Sequence, residues 1–283
     1  MDSKQIYIRT FLFLLFSLFL IHLNEGFCYK VFSICLPDNY GKINTPKTFY
    51  IGAGEPAFGI IYDLKPPLSA FVIFPNGTTK RTYLLKTQFL DQAFNMQRTG
   101  YKTSILPKQK GDYNLCVESD YVLLSNGTLM KFFVKTPFHV EVEKGWDNMC
   151  GFPLEIKPYT RPYGFITHGV FWGQVWYRGI PLENGEVTVE KFSPYFLTKQ
   201  ELPKDSYGQI NYPYLKKVTK LSKNGFFIVS FESPGWWVIS VKVKAGKRSY
   251  ANQVYPLEFE QLFWVYVFPQ QNNFPKYEYF YPQ

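Results

Sequence analysis

Histidine is scarce in this sequence, and so are the motifs that build enzyme active sites. The 283 residues contain three histidines, of which only His139 and His168 follow the first 26 residues. A Ser-His-Asp arrangement or a three-histidine metal site therefore has few residues to draw on. The Gly-x-Ser-x-Gly, His-Glu-x-x-His and phosphate-binding glycine-loop motifs are also absent. We therefore expect a protein that is not an enzyme.

A helical period is missing from almost the whole sequence, and Leu84 to Arg98 is the one candidate helix. Turn residues recur about every ten residues, and short runs of β-branched and aromatic residues lie between them. This pattern predicts an all-β protein of two β-sandwich domains, the second immunoglobulin-like or transthyretin-like. We expect the first domain at 29–148, the second at 150–268, and a flexible aromatic and proline-containing tail at 269–283.

The one long apolar run lies at the N terminus. Phe11 to Ile21 is almost wholly apolar, follows Lys4 and Arg9, and predicts a signal peptide over residues 1–26. The alternative is an uncleaved anchor, because the run extended over 6–23 approaches the roughly 17 to 25 residues that span a bilayer. We expect a periplasmic or secreted protein that meets the membrane only if this segment is retained.

Cysteine is limited to Cys28, Cys35, Cys116 and Cys150, and no pair has the Cys-x-x-Cys spacing of a zinc or redox site. In an oxidising compartment, disulfide formation is the default. A Cys35–Cys116 disulfide is favoured because both residues lie in strand-like segments. A Cys116–Cys150 disulfide is the alternative, since Cys150 lies at the expected domain boundary.

Positive charge is in excess. The formal charge is +9, and the first 26 residues contain two basic and two acidic residues, so the rest keeps the same excess. Such a protein can meet anionic lipid, cell-wall polymers or nucleic acid. Because the basic residues are scattered and the protein is expected to be exported, we predict no nucleic-acid partner. A membrane transporter component or another cell-envelope partner is expected instead.

One short segment has the composition of a metal site. In the sequence Phe-His-Val-Glu-Val-Glu from Phe138, strand alternation would place His139, Glu141 and Glu143 on one face. Nitrogen and oxygen donors suit nickel, cobalt or zinc. The alternative is the solvent-facing side of an ordinary strand. A closed site would need a further donor from elsewhere.

Aromatic residues make up 20% of the sequence, about double what we expect of an average protein. Trp172, Trp176, Trp236 and Trp237 are candidate ligand-binding residues. In the adjacent pair Trp236-Trp237, alternation places one ring inward and the other outward. The outward ring could stack on a sugar or cover the seam between the domains.

The segment from Gly151 to Val243 contains a recognisable series of motifs. These are Gly-x-Pro-Leu-Glu-Ile-x-Pro from Gly151, Arg-Gly-Ile-Pro-Leu-x-x-Gly-x-Val from Arg178, an Asn-Gly turn at Asn224, and Gly-Trp-Trp from Gly235. The segment resembles the DUF4198 family of exported bacterial β-proteins. Members of that family are similar to the NikM-like periplasmic components of nickel and cobalt uptake systems.

This resemblance implies a periplasmic, non-enzymatic binding or accessory protein that acts with a transition-metal uptake system. No cofactor is certain, and nickel or cobalt are the candidates. The alternative function is a cell-surface or matrix module that recognises carbohydrate or a partner protein through exposed aromatic residues.

Overall fold

The protein is all-β, as predicted. The computed structural model describes residues 29–211 and 214–270, so the predicted signal peptide and all but the first two residues of the predicted tail lie outside it. None of the described residues forms a helix long and apolar enough to cross a membrane. The strands are β1 (Lys30–Cys35), β2 (Tyr40–Gly41), β3 (Lys47–Glu55), β4 (Ile60–Tyr62), β5 (Ser69–Ile73), β6 (Thr79–Arg81), β7 (Leu85–Asp91), β8 (Met96–Ile105), β9 (Gly111–Glu118), β10 (Val122–Leu123), β11 (Leu129–Val140), β12 (Leu154–Pro158), β13 (Phe165–Ile166), β14 (Val170–Tyr177), β15 (Ile180–Pro181), β16 (Glu186–Lys191), β17 (Lys216–Lys220), β18 (Phe226–Ser230), β19 (Gly235–Tyr250) and β20 (Gln253–Phe268).

These strands form three packed sheets. An 11-stranded central sheet has the order β17-β16-β19-β20-β11-β9-β5-β6, with β10 and β2 on β11 and β13 on β20. A five-stranded sheet, β1-β3-β8-β7 with β4 on β3, packs against one face of the central sheet. A four-stranded sheet, β12-β14-β15 with β18 on β14, packs against the other face. The two sandwiches therefore share their middle layer.

Strand alternation sends neighbouring residues of the central strands into different cores. On β19, Trp236 and Val238 enter the core beneath the five-stranded sheet, whereas Trp237 and Ile239 enter the core beneath the four-stranded sheet. Strands buried on both faces need continuous apolar runs, and β19 and β20 have them. Truncating a buried tryptophan to alanine costs about 3–5 kcal/mol in such a core.

The two halves of the chain meet in one parallel strand pair. β11 pairs with β20 in parallel from Leu129 opposite Leu257 to Lys135 opposite Phe263. The long strands on either side of this pair are antiparallel to it: β9 pairs with β11, and β19 pairs with β20. The backbone hydrogen bonds of β11 and β20 thus join the last strand of the first half of the chain to the last strand of the second half.

Asn-Gly pairs form the tight turns that the sequence predicts. Gly77, Gly127 and Gly225 each have a positive φ, of 82°, 78° and 74°. Glycine adopts this conformation at little cost, so it favours short hairpin turns. Hydrogen bonds from Phe74 N to Thr78 O and from Leu124 N to Thr128 O close two of these turns, each at 2.8 to 2.9 Å.

The candidate helix at Leu84 to Arg98 is wrong. This segment forms β7, a turn, and the start of β8, which pair from Leu85 opposite Lys102 to Asp91 opposite Met96. Asp91 accepts a hydrogen bond from Ala93 N at 3.2 Å and Asn95 has a φ of 50°, so the local side-chain chemistry turns the chain back. Pairing with β3 through β8 then fixes the hairpin in the sheet.

The disulfide joins Cys116 to Cys150, with a Cα–Cα distance of 6.1 Å, so the favoured Cys35–Cys116 pairing is wrong and the alternative is correct. Alternation along β9 explains this outcome. Tyr113, Leu115 and Val117 point into the core beneath the five-stranded sheet, and Cys116 therefore points to the opposite face. Cys35 belongs to the core beneath the five-stranded sheet, where its thiol is buried and forms no disulfide.

A buried ion pair lies beside this disulfide. Lys135 Nζ on β11 lies 3.4 Å from Glu155 Oε1 on β12 and donates a hydrogen bond to Asn148 O at 2.6 Å. The Glu155 carboxylate also accepts hydrogen bonds from the backbone N–H groups of 150, 151 and 152, at 2.5, 2.9 and 3.2 Å. Both side chains are almost fully buried. The two charged side chains thus hold the segment 148–152, which connects the two halves of the chain, against the central sheet.

We predict that Lys135→Met lowers the free energy of unfolding by about 3–5 kcal/mol, because it leaves the Glu155 charge buried without its partner. The double variant Lys135→Met with Glu155→Gln should lose less than the single variant, since both charges are then gone. Unfolding in guanidinium, followed by fluorescence, measures both. A double variant less stable than the single one would contradict this account.

Burial raises the pKa of the Cys35 thiol to about 12, so little reactive thiolate exists at neutral pH. We expect iodoacetamide at pH 8 to leave Cys35 unmodified in the folded protein and to label it once guanidinium unfolds the chain. Cys116 and Cys150 should need a reductant as well. Peptide mapping by mass spectrometry distinguishes the three sites, and fast labelling of Cys35 in the folded protein would disprove the assignment.

Candidate functional site

The expected row of His139, Glu141 and Glu143 does not form. β11 ends at Val140, and Glu141 has a φ of 63°, so the chain leaves the extended conformation at that residue. Glu141 binds Lys110 at 2.8 Å, and Glu143 binds Arg161 at 3.1 Å. Strand alternation therefore stops one residue before the first carboxylate.

His139 instead pairs with Asp112, which lies directly opposite it on β9. His139 Nδ1 lies 2.6 Å from Asp112 Oδ1, and the other oxygen of Asp112 accepts a hydrogen bond from Lys144 N at 2.8 Å. The imidazole stacks on the ring of Tyr163 at 4.1 Å and meets the edge of Tyr40 at 5.2 Å. This arrangement fixes the ring and leaves Nε2 as its remaining polar atom.

Burial of its ring raises the pKa of Tyr163, with a smaller contribution from the nearby Asp112 charge. Tyr163 therefore stays neutral beside the Asp112–His139 pair. Among the described residues, no group of three or more His, Cys, Asp or Glu side chains is placed to hold a metal ion. The candidate ligands that the sequence grouped together thus have three separate partners in the structure.

A second candidate site lies on the outer face of the four-stranded sheet. Tyr159, Trp172 and Phe226 form a continuous ring cluster, with centroid distances of 5.0 Å for Tyr159–Trp172, 5.3 Å for Tyr159–Phe226 and 5.8 Å for Trp172–Phe226. Trp172 is 41% exposed. Trp176 lies four residues further along β14 than Trp172, on the same face. We call these four residues the aromatic platform.

The strand register places the rings of the platform together. Trp172 lies opposite Ile228, and Gln174 lies opposite both Phe226 and Lys157, so their side chains share a face. Alternate residues of β14, Phe171 and Val175, fill the core behind them. The same alternation that builds the core therefore displays the platform on the outside.

Gln174 orients two of the rings. Its Oε1 accepts hydrogen bonds from the Tyr159 hydroxyl at 3.0 Å and from Trp176 Nε1 at 3.1 Å. Its Nε2 donates a hydrogen bond to Asn224 O at 2.8 Å. Gln174 is itself buried, so its side chain holds a single orientation. The rings are therefore positioned before any ligand arrives.

The structure separates the four candidate tryptophans. Trp172 and Trp176 belong to the platform, but Trp236 is 5% exposed and Trp237 is 0% exposed. The prediction that one ring of the Trp236-Trp237 pair faces outward is wrong, because a sheet covers each face of β19. Tyr159, Phe226 and Gln174 were missed. These residues come together only because β12 and β18 pair with β14. The alternation of residues along a single strand does not predict which strands pair.

The fold and these sites define a layered all-β protein with an internal disulfide and an exposed aromatic face. The chain belongs to the DUF4198 family: the model described as "Domain of unknown function (DUF4198)" matches residues 37–245. The resemblance predicted from the sequence is thereby confirmed at the level of this family. A comparison with curated proteins found no match.

Similar solved structures are remote. Elastase-activated alpha-2-macroglobulin from Escherichia coli has 14% identity over 84% of this chain and 20% of its own, with a TM-score of 0.24. BcpA, the major pilin subunit of Bacillus cereus, has 9% identity over 85% of this chain and 69% of its own, with a TM-score of 0.20. Scores this low support no argument about fold or function.

Proposed function

We propose that this protein is an exported, non-enzymatic binding protein that holds a carbohydrate on the aromatic platform. The observation that carries the proposal is the contact between the rings of Tyr159, Trp172 and Phe226 on an open sheet face. The apolar face of a sugar ring stacks on such rings, which bury large areas at little conformational cost.

Polar groups between the rings support a carbohydrate as the ligand. Gln174 and Thr160 interleave with the platform, and Lys157 Nζ lies 5.6 Å from the centre of the Tyr159 ring. Ligand sites combine apolar surface with a few fixed polar groups, which suits a molecule with one apolar face and many hydroxyls. The Cys116–Cys150 disulfide supports export to an oxidising compartment.

We predict that Trp172→Ala weakens the binding of the best neutral oligosaccharide from a glycan array by roughly thirtyfold, as expected for a tryptophan at the centre of an interface. The matched control is Tyr207→Ala, which removes a ring that is 89% exposed in a loop elsewhere. Calorimetry measures both affinities. Equal loss in the two variants, or no neutral glycan bound by the unaltered protein, would refute the platform proposal.

The role with a nickel or cobalt uptake system is a second candidate, and the Asp112–His139 pair is the observation in its favour. A carboxylate that holds one nitrogen of an imidazole commonly stands behind a metal-binding histidine. His139 Nε2 would supply one donor, and the others would come from residues outside those described or from a partner.

For this second candidate, we predict nickel or cobalt binding that His139→Ala abolishes and Asp112→Asn weakens roughly 10- to 100-fold. Calorimetry of the exported protein, with its authentic N terminus, measures the affinities. Glu143→Gln serves as the control, because Glu143 forms its ion pair with Arg161 and makes no hydrogen bond to the imidazole. Absence of binding, or equal binding by the His139 variant, would remove the metal role.

A further inference from the structure

A basic groove lies at the open edge of the sandwich that the central sheet forms with the five-stranded sheet. This edge is at the end of the central sheet opposite β17. The groove has a volume of about 410 Å³, and its walls come from β5 and β6 of the central sheet and from the end of β8 in the five-stranded sheet. Lys80, Arg81 and Lys108 line it, together with Tyr83. No acidic residue is among the residues that line it.

The three cations of the groove lack the acidic partners that other basic residues have. Lys110 pairs with Glu141, and Lys131 pairs with Glu118. Within 29–211 and 214–270, no salt bridge involves Lys80, Arg81 or Lys108. Lys108 Nζ donates to the neutral Asn44 side chain at 3.2 Å. Three cations thus border the groove without internal neutralisation, with Lys80 on the Val72 side of β6 and Arg81 on the Phe71 side.

Protection of an exposed sheet edge explains only part of this charge. β6 is an edge strand, and lysine on such strands prevents pairing with other chains. This role accounts for Lys80 and Arg81 but not for Lys108, which comes from another segment. It also does not account for Tyr83, whose side chain is 91% exposed at the groove.

The interior of the groove suits a chain of sugar rings better than a single small anion. Val72 and Ile105 are buried beneath it and form an apolar floor. Thr82 adds a hydroxyl group, which already bonds to Thr103 Oγ1 at 2.6 Å. The cations can hold carboxylates through charge-assisted hydrogen bonds, and Tyr83 offers a ring face for stacking.

We propose that this groove binds an acidic polysaccharide whose sugar units carry carboxylates. The site differs in position and in ligand charge from the aromatic platform, and it does not depend on the platform. The Tyr83 ring contacts a sugar face, and the carboxylates of the sugar units lie against Lys80 and Lys108, with Arg81 adding positive charge at the same edge. Binding weakens as salt rises, because counterions compete for the exposed cations.

The test is calorimetry of the full exported chain with a galacturonic acid hexamer, with maltohexaose as the uncharged comparison. The triple variant Lys80→Gln, Arg81→Gln, Lys108→Gln should weaken hexamer binding by roughly tenfold for each cation that contacts a carboxylate. The matched control is Lys199→Gln, Lys220→Gln, Lys223→Gln, which removes the same charge from exposed positions elsewhere. Thermal melting confirms that both variants fold.

Each outcome decides the proposal. Loss in the groove variant but not in the control, with a further loss in Tyr83→Ala, supports it. No hexamer binding, or an equal loss in both triple variants, overturns it, because general positive charge would then suffice. Groove-dependent binding of polyphosphate or a single-stranded oligonucleotide at equal or higher affinity overturns the choice of a polysaccharide. Trp172→Ala should leave hexamer binding unchanged, which separates this site from the platform.

Discussion

The parallel pairing of β11 with β20 is the constraint on which the rest of the structure depends. It places a strand from the middle of the sequence beside its last strand, from Leu129 opposite Leu257 onward. Each flanking sheet then finds an apolar surface made by both halves. Because backbone groups in the central sheet are far from water, each must be paired within the protein. A shift of one residue in either strand would exchange its two faces and move the core residues of that strand to the wrong side.

Buried charged residues lie at the borders of the two flanking sheets, where each sheet stops covering the central sheet. Lys30, on the edge strand β1, donates to Ser240 at 2.7 Å and binds Glu260 at 2.5 Å on the face of the central sheet beyond the five-stranded sheet. Lys135 and Glu155 occupy a comparable position at the edge strand β12. At such borders an apolar side chain would lack a partner layer, whereas a matched pair with further hydrogen bonds is satisfied. These pairs specify where each flanking sheet stops.

Turn chemistry and family membership could be predicted from the sequence, but the number of layers could not. Asn-Gly turns depend on glycine at positive φ, which is a local property and is visible in the residues themselves. The two-sided burial of Trp236 and Trp237 depends on which sheets cover β19, which is a long-range property. The uninterrupted apolar run from Trp236 to Ile239 was the available signal, because a strand with one wet face alternates instead. The Cys35–Cys116 pairing failed for the same reason, since it assumed a single core.

The layered arrangement also determines where binding can occur. Where both faces of the central sheet fill cores, the surfaces left for ligands are the outer faces of the flanking sheets and the open edges. The aromatic platform uses an outer face, and its rings alternate with the core residues Phe171 and Val175 on the same strand. The basic groove uses an edge, where two sheets diverge and side chains from different segments converge. The sequence singled out Trp172 and Trp176 because tryptophan is conspicuous, whereas Gln174 acts through geometry that only strand register creates. In this fold, therefore, candidate binding residues lie on the outer faces of the flanking sheets and at the open edges of sheets. A high density of aromatic residues alone marks the core as often as the surface.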